Sequence, residues 1–287
     1  ICVNDGSTDN CAKILEEFSK KDPRIVVLTQ KNQGVSIARN NGMRASTGEY
    51  IGFVDPDDYI SEDFYLELYS ILKDHNADIA WAKINFVNEK SELIRAESFY
   101  KRVAYSLAEK ITLAKHGYVW NKLYRSDFIK ENNLLFEEGV LIEDQLYLIQ
   151  ALYWSGVSVT TNKVSYFYRQ RLGSITYNEK VLEKVDKDHL HSITRIIDFA
   201  IEKKFDEKAL KEVKKFIYIT SPNKVLEDLF NSKYFNFLGK RYFFIKKMDV
   251  IFNKFLDLEI IRFFYKKIKN PDGSHTIRLL KLFKFNI

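Results

Sequence analysis

The feature that most constrains this chain is an apolar run, within residues 50–59 (YIGFVDPDDY), that ends abruptly in acids. A short apolar run bounded by turn residues is typical of a buried strand in a parallel sheet. Pro56 cannot continue a central strand, so we expect the strand to stop at the carboxylates. Acids at the C-terminal end of such a strand lie on the edge where open α/β sheets bind ligands. The run therefore predicts an α/β fold with an acidic site at one sheet edge.

The acids of this turn, Asp55, Asp57 and Asp58, repel one another unless a cation lies between them. Hard oxygen ligands at this spacing suit Mg²⁺ or Mn²⁺ that arrives with phosphate groups. A solvated acidic turn is the alternative interpretation of the stretch on its own. The turn is thus a candidate metal site whose neighbours must decide its role.

Strands and helices alternate through the first 86 residues. Short apolar runs predict strands at residues 1–3, 25–28, 50–54 and 78–86, with helical periodicity between them. Alternation with short connections predicts right-handed crossovers and a mostly parallel sheet flanked by helices. The turns of this part contain neither GxGxxG nor GxxxxGK[ST], which argues against a dinucleotide-binding fold and a P-loop.

The second half of the chain changes character near residue 177. Residues 87–117 are polar and predict a connection with one helix, and strands are predicted at 118–124 and 157–168. Beyond residue 177 the pattern becomes helical, basic and rich in aromatic side chains. We therefore divide the chain into an α/β domain at 1–176 and a helical C-terminal region at 177–287.

Charge is distributed unevenly along the chain, whose net charge is +6. From Lys233 to the end there are 13 Lys or Arg and 4 Asp or Glu. Such a tail either covers a buried aromatic core with solvated lysines or lies on an anionic membrane face, and both interpretations stay open. Cys2 and Cys11 have neither zinc-site nor disulfide-scaffold spacing, and no apolar run reaches about 18 residues. We therefore expect a cytoplasmic protein, either free or peripheral on the inner face of the cell membrane.

Two polar side chains near helix starts are candidate ligand contacts. Asp5 follows a strand, on a glycine turn that opens a helix, where it can accept a hydrogen bond from a nucleobase and where an anion is favoured. Arg39 lies about one turn into the helix that begins after Gly34, and its planar fork can reach a phosphate or a ribose. A plain capping turn and a surface arginine are the respective alternatives.

Two further groups lie in the second half of the α/β domain. Glu143 and Asp144 stand at a helix start, where acids ordinarily complement the helix dipole. A functional Asp144 would be a general base within hydrogen-bond reach of a hydroxyl. Arg169 and Arg171 follow a strand in a Gly/Ser turn and could clamp a diphosphate, with a charged loop as the alternative.

Taken together, five motifs resemble a known family in their order and spacing: VNDGSTD, NQGVSIARNNG, TGEYIGFVDPDD, FEEGVLIEDQLY and YFYRQRLGSIT. They resemble the family 2 inverting glycosyltransferases of bacterial capsule, exopolysaccharide and lipopolysaccharide synthesis. The resemblance covers residue 1 to about residue 176. It implies a nucleotide-diphosphosugar transferase (GT-A type) fold, a UDP-sugar donor, and a glycan or lipid-linked acceptor rather than nucleic acid.

The resemblance also implies a role for each acid. Asp5 would hold the base, usually uracil, and Asp55 would hold the ribose. Asp57, together with Asp55, would bind a Mn²⁺ or Mg²⁺ ion on the diphosphate. Asp144 would be the base that deprotonates the acceptor. Four side chains would support them, two beside the acceptor or behind the metal ligands and two on the leaving diphosphate: Asp58, Glu143, Arg169 and Arg171.

The chain departs from the family pattern in two places. Asn4 stands where the family usually has the first of two consecutive aspartates, and Asp5 matches the second. The difference therefore affects the contact with the base that the first aspartate would make. The family also begins with a strand and helix of roughly 30 residues that would precede Ile1, and that strand pairs beside residues 1–3. Without that strand we expect weak donor binding and an exposed sheet edge.

Three other functions share some of these features. An aspartate-nucleophile phosphatase also places Asp-x-Asp after a buried strand, but it needs a small residue where this chain has Tyr59. A sugar nucleotidyltransferase needs a glycine-rich loop with a lysine near its first strand. A non-catalytic protein that binds nucleotide sugars is the third alternative, and the combined presence of Asp5, Asp57 and Asp144 argues against it.

Overall fold

The structure is a computed structural model that describes residues 1–100, 103–114, 117–171, 182–230, 265–269 and 275–279. Its elements in chain order are β1 (Cys2–Asp5), α1 (Cys11–Lys21), β2 (Val27–Gln30), α2 (Val35–Ala45), β3 (Tyr50–Gly52), β4 (Tyr59–Ile60), α3 (Phe64–Asp74), β5 (Ile79–Val87), β6 (Leu93–Glu97), β7 (Val103–Ala104), α4 (Leu107–Leu113), β8 (Lys122–Arg125), α5 (Ser126–Glu131), α6 (Asp144–Trp154), β9 (Ser158–Arg169), α7 (Leu182–Glu202), α8 (Glu207–Thr220), α9 (Asn223–Phe230), β10 (Tyr265–Lys269) and β11 (His275–Leu279).

The strands form an α/β architecture of mixed direction. β1 and β2 pair in parallel, and the larger sheet has the order β3-β8-β5-β9-β4, with β6 on β5 and β7 on β9. β5 and β9 are parallel, and β8 is antiparallel to both β3 and β5, so β3, β5 and β9 share one direction. The predicted α/β class, with its main strands running the same way and helices around them, is confirmed.

The strand before the acidic turn was expected to lie among parallel neighbours, yet β3 pairs with the antiparallel strand β8. Ser126 holds this register, because its N–H donates to the Glu49 carbonyl at 2.8 Å and its hydroxyl to the Gly48 carbonyl at 2.8 Å. An apolar run predicts a strand but does not encode the direction of its neighbour, so the sequence could not reveal this pairing.

Helix α3 shows why the sheet is stable. Phe64, Leu68 and Leu72 recur at helical spacing and are fully buried. Each such side chain contributes roughly 1.5–3 kcal/mol when removed from water. The core they join continues through the buried aromatics of the sheet, including Trp81 and Tyr166. The acidic turn therefore emerges from a rigid framework.

Two compact units are present, Ile1–Tyr234 and Phe235–Ile287. The helices predicted after residue 177 are present as α7, α8 and α9 and belong to the first unit, in which α7 packs on α6 and α8 on α4. The predicted boundary at 176 falls in residues 172–181, outside the described residues. In the second unit the described residues form the antiparallel hairpin β10–β11, so these ten residues are strands where the sequence pattern predicts helix.

A cavity of about 540 Å³ separates β1 and α2 from β3. Val3 and Ala38 line one side and Gly52 and Phe53 the other. Within the described residues β1 has a hydrogen-bonded neighbour, β2, on one edge. Among the helices of the described ranges, none combines the length and apolarity needed to cross a bilayer.

Candidate active site

The turn after β1 is held by its own side chains. Asn4 is buried, and its Oδ1 accepts from the Ser7 N–H at 2.9 Å. Asp5 Oδ1 accepts from Gln33 N and Oδ2 from Gly34 N, both at 2.8 Å. Gly34 adopts φ 93°, in the left-handed region that favours glycine. Asp5 thus fixes the start of α2, and its predicted role in base binding stays a prediction.

Arg39, on the first turns of α2, contacts three carboxylates at once. Its Nη2 lies 2.7 Å from Asp55 Oδ1. Its Nη1 lies 2.6 Å from Glu143 Oε1 and 2.7 Å from Asp144 Oδ1. The Arg39 side chain is 12% exposed, and its guanidinium lies 5.2 Å from the centroid of the Phe136 ring. Side chains that the sequence offered as three separate candidate sites therefore form one cluster.

Burial and charge act against each other in this cluster. Burial raises the pKa of Asp55, although the Arg39 charge opposes this. Burial, together with the nearby charge of Asp144, raises the pKa of Glu143 to about 8. Burial alone would lower the pKa of Arg39, but the three carboxylates outweigh it and hold that pKa above its ordinary value. At neutral pH the cluster therefore holds a permanent cation, Arg39, beside a pair of acids in which burial and mutual repulsion favour the binding of a proton.

The loop that leads to Glu143 and Asp144 is fastened to α2. Asn40 is fully buried; its Nδ2 donates to the Phe136 carbonyl at 2.9 Å, and its Oδ1 accepts from Phe136 N at 2.8 Å. The Phe136 ring stacks on Tyr147 with centroids 4.0 Å apart, and Phe53 meets it edge-on at 5.4 Å. Arg39 and its neighbour Asn40 thus hold the same loop, one by charge and one by neutral hydrogen bonds.

Helix α7 supports the loop from another side. Asp188 Oδ2 accepts from Leu141 N at 3.0 Å, three residues before Asp144. The amide nitrogen of Gln145 lies 3.3 Å from His189 Nε2, and burial lowers the pKa of His189 to about 4. The sequence offered no sign of these contacts, because a helical pattern predicts a buried face without saying what it covers.

The acidic turn is fastened to strand β9. Asp58 Oδ1 accepts from Arg169 N at 2.8 Å, and its Oδ2 accepts from the Tyr166 hydroxyl at 2.9 Å. The same hydroxyl oxygen accepts from Asp55 N at 3.0 Å. Burial raises the pKa of Asp58 to about 6. Tyr166 is therefore a structural centre of the turn, and the sequence pattern showed it merely as one aromatic residue of a strand.

The two arginines predicted to clamp a diphosphate do lie beside the acidic turn. Arg169 Nε donates to the Asp57 carbonyl at 3.0 Å and Nη1 to the Glu89 carbonyl at 3.1 Å. Its guanidinium also lies 5.5 Å from the centroid of the Tyr59 ring. Arg171 Nε lies 3.1 Å from Asp57 Oδ2, and its side chain is 54% exposed. Arg171 is the more accessible of the two to an anion.

The acids of the turn face different partners. Asp55 faces Arg39, Asp58 faces Tyr166, and Asp57 is partly exposed beside Arg171. Within the part of the chain that the structure describes, no group of three acidic, histidine or cysteine side chains is arranged so that it could hold a metal ion by itself. A metal carried by phosphates uses one or two carboxylates, so Asp57 fits as a single ligand for such an ion.

Aromatic rings extend from Tyr166 along the same face. Trp120 stacks on Tyr166 with centroids 4.2 Å apart and on Tyr118 at 4.6 Å, and its plane lies 6° from that of Tyr168. Residues 118–124 were expected to form a strand, but β8 begins at Lys122. Tyr118 and Trp120 instead belong to a ring stack that includes Tyr166, whose hydroxyl contacts the acidic turn.

Asp5 ends strand β1, Asp55 follows strand β3, and both line one cavity. Strand ends of this kind are where open α/β sheets bind ligands. The model of Glycosyl transferase family 2 matches residues 1–133 of this chain. The family resemblance of the motifs is thereby confirmed.

Curated relatives share the front of the chain. Glycosyltransferase GlyA of Streptococcus pneumoniae is 36% identical over 190 residues, which are 61% of this chain and 27% of that protein. Glycosyltransferase EpsJ of Bacillus subtilis, described as uncharacterized, is 33% identical over 187 residues, which are 61% of this chain and 54% of that protein. The chain thus spans about a quarter to a half of these relatives.

Among solved structures, S. aureus TarS (residues 1–349, in complex with UDP-GlcNAc) superposes with a TM-score of 0.56. The alignment covers 98% of this chain and 87% of the other, at 17% identity. At 17% identity, the superposition shows a shared fold and nothing further. The GT-A type fold expected from the motifs is confirmed.

Proposed function

We propose that the chain is an inverting glycosyltransferase that moves a sugar from a UDP-sugar to a hydroxyl of a glycan or lipid-linked acceptor. Its place would be bacterial surface polysaccharide synthesis, such as that of capsule or lipopolysaccharide. The observation that carries the proposal is the cluster around Arg39, which sets the candidate acceptor base Asp144 beside Asp55 of the donor-side turn. The match of residues 1–133 to the family model supports the reaction class.

The donor assignment rests on two supports. Asp5, Arg39 and Asp55 line one cavity of about 540 Å³, which is large enough for part of a nucleotide sugar. S. aureus TarS, which shares this fold, was crystallised in complex with UDP-GlcNAc. We infer that Asp5 contacts the base and that Asp55 contacts the ribose of a donor bound in this cavity.

The reaction follows from where charge must develop. Asp144 takes the proton of the acceptor hydroxyl while that oxygen attacks the anomeric carbon from the face opposite the diphosphate. The bond from the anomeric carbon to the diphosphate oxygen breaks, and UDP leaves with the bonding electron pair. A single displacement of this kind inverts the anomeric configuration. The Arg39 guanidinium, which contacts both Glu143 and Asp144, offsets the negative charge of these neighbouring acids.

The departing diphosphate needs positive charge. Asp57 would hold a Mn²⁺ or Mg²⁺ ion, which would neutralise the diphosphate when bound. Arg171, exposed beside Asp57, would add a second cation, and Arg169 would hold the turn through carbonyl contacts. Asp58, fixed by Tyr166, would keep the turn in place behind the ligand.

The basic tail bears on the acceptor and on the cellular location. The basic tail beyond Lys233 would allow peripheral contact with an anionic membrane that carries a lipid-linked acceptor. Flotation with vesicles of anionic or neutral lipid at low and high salt tests this. Salt-sensitive flotation with anionic vesicles alone supports membrane contact, and no flotation contradicts it.

A screen of nucleotide sugars tests the proposed function. We expect UDP release from at least one UDP-sugar, dependent on Mn²⁺ or Mg²⁺, and its loss in Asp144→Asn. Binding of UDP without release would favour the alternative, a non-catalytic protein that binds nucleotide sugars. Release of inorganic diphosphate from UTP and a sugar phosphate would instead indicate a sugar nucleotidyltransferase.

A further inference from the structure

We propose that Arg39 is a positioning residue that fixes the acceptor base Asp144 relative to the donor-side Asp55. The inference rests on the proposed function. It identifies Arg39 as the residue that joins the donor side of the site, with Asp55, to the acceptor side, with Asp144. Arg39 was expected to contact the nucleotide, but its two terminal nitrogens are directed to carboxylates at 2.6–2.7 Å. Hydrogen bonds between two charged groups at this distance are among the strongest in proteins.

The geometry of the guanidinium makes it suited to this task. Its nitrogens lie in one rigid plane, so a contact at Nη1 and a contact at Nη2 fix the relative placement of their partners. Asp144 is held at Nη1 and Asp55 at Nη2. A lysine ammonium is a point charge on a flexible stem and fixes no such pair.

Arg39 can act as a reference point because its own helix is fixed. Asp5 holds the Gly34 N–H at the start of α2, and Asn40 makes two hydrogen bonds with Phe136. The Arg39 side chain is 12% exposed and packs near the Phe136 ring. The backbone of α2 that carries Arg39 is thus held by contacts other than those of Arg39 with its acidic partners.

The consequence for the reaction is geometrical. Asp55 and Asp144 belong to segments almost 90 residues apart in the chain, and each lies at the start of a turn or helix. A misplacement of about 1 Å between a base and its reacting atom lowers a rate by about 100-fold. Removing the guanidinium of Arg39 should therefore slow the chemical step more than it weakens donor binding.

The test compares Arg39→Lys and Arg39→Ala with the matched control Arg44→Ala on the same helix. Arg44 is exposed and donates to Asn41 Oδ1 at 2.9 Å. We expect Arg39→Lys to lower kcat about 100-fold while the Kd for UDP with Mn²⁺ changes less than about threefold. Arg44→Ala should keep both values. A loss of UDP affinity with kcat retained at saturating donor would overturn the proposal and make Arg39 a nucleotide ligand.

Chemical rescue separates positioning from a general loss of structure. Ethylguanidinium added to Arg39→Ala should restore kcat at least about tenfold by refilling the fork, whereas ethylammonium of equal charge should not. Equal rescue by both cations, or by neither, would contradict the proposal.

A third readout does not depend on activity. Amide exchange across residues 134–145 should rise in Arg39→Lys while UDP binding persists. Unchanged exchange there would overturn the proposal even if the wild-type chain released no UDP, so its failure is distinguishable from failure of the proposed function.

Discussion

The two acidic segments of the site are held in place by different physical means. Residues 55–58 are fastened to strand β9 by hydrogen bonds from the Tyr166 hydroxyl and from Arg169 N to Asp58, in addition to the ion pair of Asp55 with Arg39. Glu143 and Asp144 are instead held through one cation, Arg39, and by a loop that packs on helix α7. The turn at residues 55–58 is thus positioned chiefly by strand β9, whereas Glu143 and Asp144 are positioned chiefly by their ion pairs with Arg39.

The difference suggests how each segment would respond to change. A strand spreads its constraint over many backbone hydrogen bonds, so one lost side-chain contact shifts the turn little. A buried cation with several carboxylates concentrates the constraint, because removing one partner leaves charge uncompensated. We expect substitutions on the donor side to change affinity and stability, and substitutions on the acceptor side to change the rate.

The largest expected effect lies on the acceptor side. Asp144→Asn removes the proposed base and should lower kcat about 10³-fold while UDP affinity stays nearly unchanged. Steady-state transfer and calorimetric UDP binding measure the two quantities. The matched control is Glu143→Gln: because burial and the charge of Asp144 raise the pKa of Glu143, glutamine resembles the protonated form that this environment favours. Substantial activity in Asp144→Asn would show that another group is the base.

The donor side should behave in the opposite way. Asp57→Asn should weaken metal-dependent UDP binding about 100-fold, because it removes the exposed carboxylate proposed to hold the ion. A Mn²⁺ titration of UDP affinity measures this, and removal of the metal with a chelator should weaken binding in the wild type but hardly in the variant. An unchanged Mn²⁺ requirement in Asp57→Asn would mean that the metal binds elsewhere.

The support from α7 makes a prediction about pH. The pKa of His189 is about 4 in the folded chain against an ordinary value of 6.5. As pH falls from 6.5, the unfolded chain takes up this proton first, so the folded chain loses stability until pH reaches about 4. Between about pH 7 and pH 4.5 the loss from this group is about 2 kcal/mol.

Denaturant unfolding of the wild type and of His189→Gln measures the pH effect. Glutamine cannot titrate, so stability should fall less steeply in the variant over this range. His191→Gln is the matched control, since His191 is 44% exposed and lies 2.9 Å from Glu137. Equal slopes in the wild type and in His189→Gln would show that the histidine titrates normally.

The smallest expected effect is at the anchor of the donor-side turn. Tyr166→Phe removes the hydroxyl between Asp55 N and Asp58, leaving both without that partner, and should cost about 1–2 kcal/mol. Thermal or denaturant unfolding measures the cost. Tyr69→Phe on exposed Tyr69 should cost less than about 0.5 kcal/mol. If kcat fell further in Tyr166→Phe than in Arg39→Lys, the donor-side turn rather than the Arg39 contacts would control the rate, which would contradict the comparison of the two segments.

The sequence predicted the elements of the site better than their contacts. The acidic turn after β3, the helix that begins at Asp144 and the alternation of the first 86 residues all follow from local patterns, which depend on neighbours in the chain. The contacts of Arg39 join residues that lie 16, 104 and 105 positions apart, and no local pattern encodes such distances.

Two further outcomes show where local reasoning stops. The antiparallel partner of β3 was missed, because an apolar run predicts a strand but does not encode the direction of its neighbour. The sequence did not reveal that the Tyr166 hydroxyl holds the acidic turn, because Tyr166 lies within an ordinary aromatic strand pattern. Its partners, Asp55 and Asp58, lie more than 100 residues away in the chain. Both features depend on the three-dimensional arrangement.

The anomeric configuration of the sugar released from the donor tests the central claim most directly. With water as acceptor, proton NMR can follow the first product formed from each UDP-sugar before its anomers equilibrate. We expect the released sugar to have at first the configuration opposite to that of the donor, and we expect Asp144→Asn to abolish its release. A released sugar that keeps the donor configuration, or release that persists in Asp144→Asn, would contradict the assignment of Asp144 as the base of an inverting transfer.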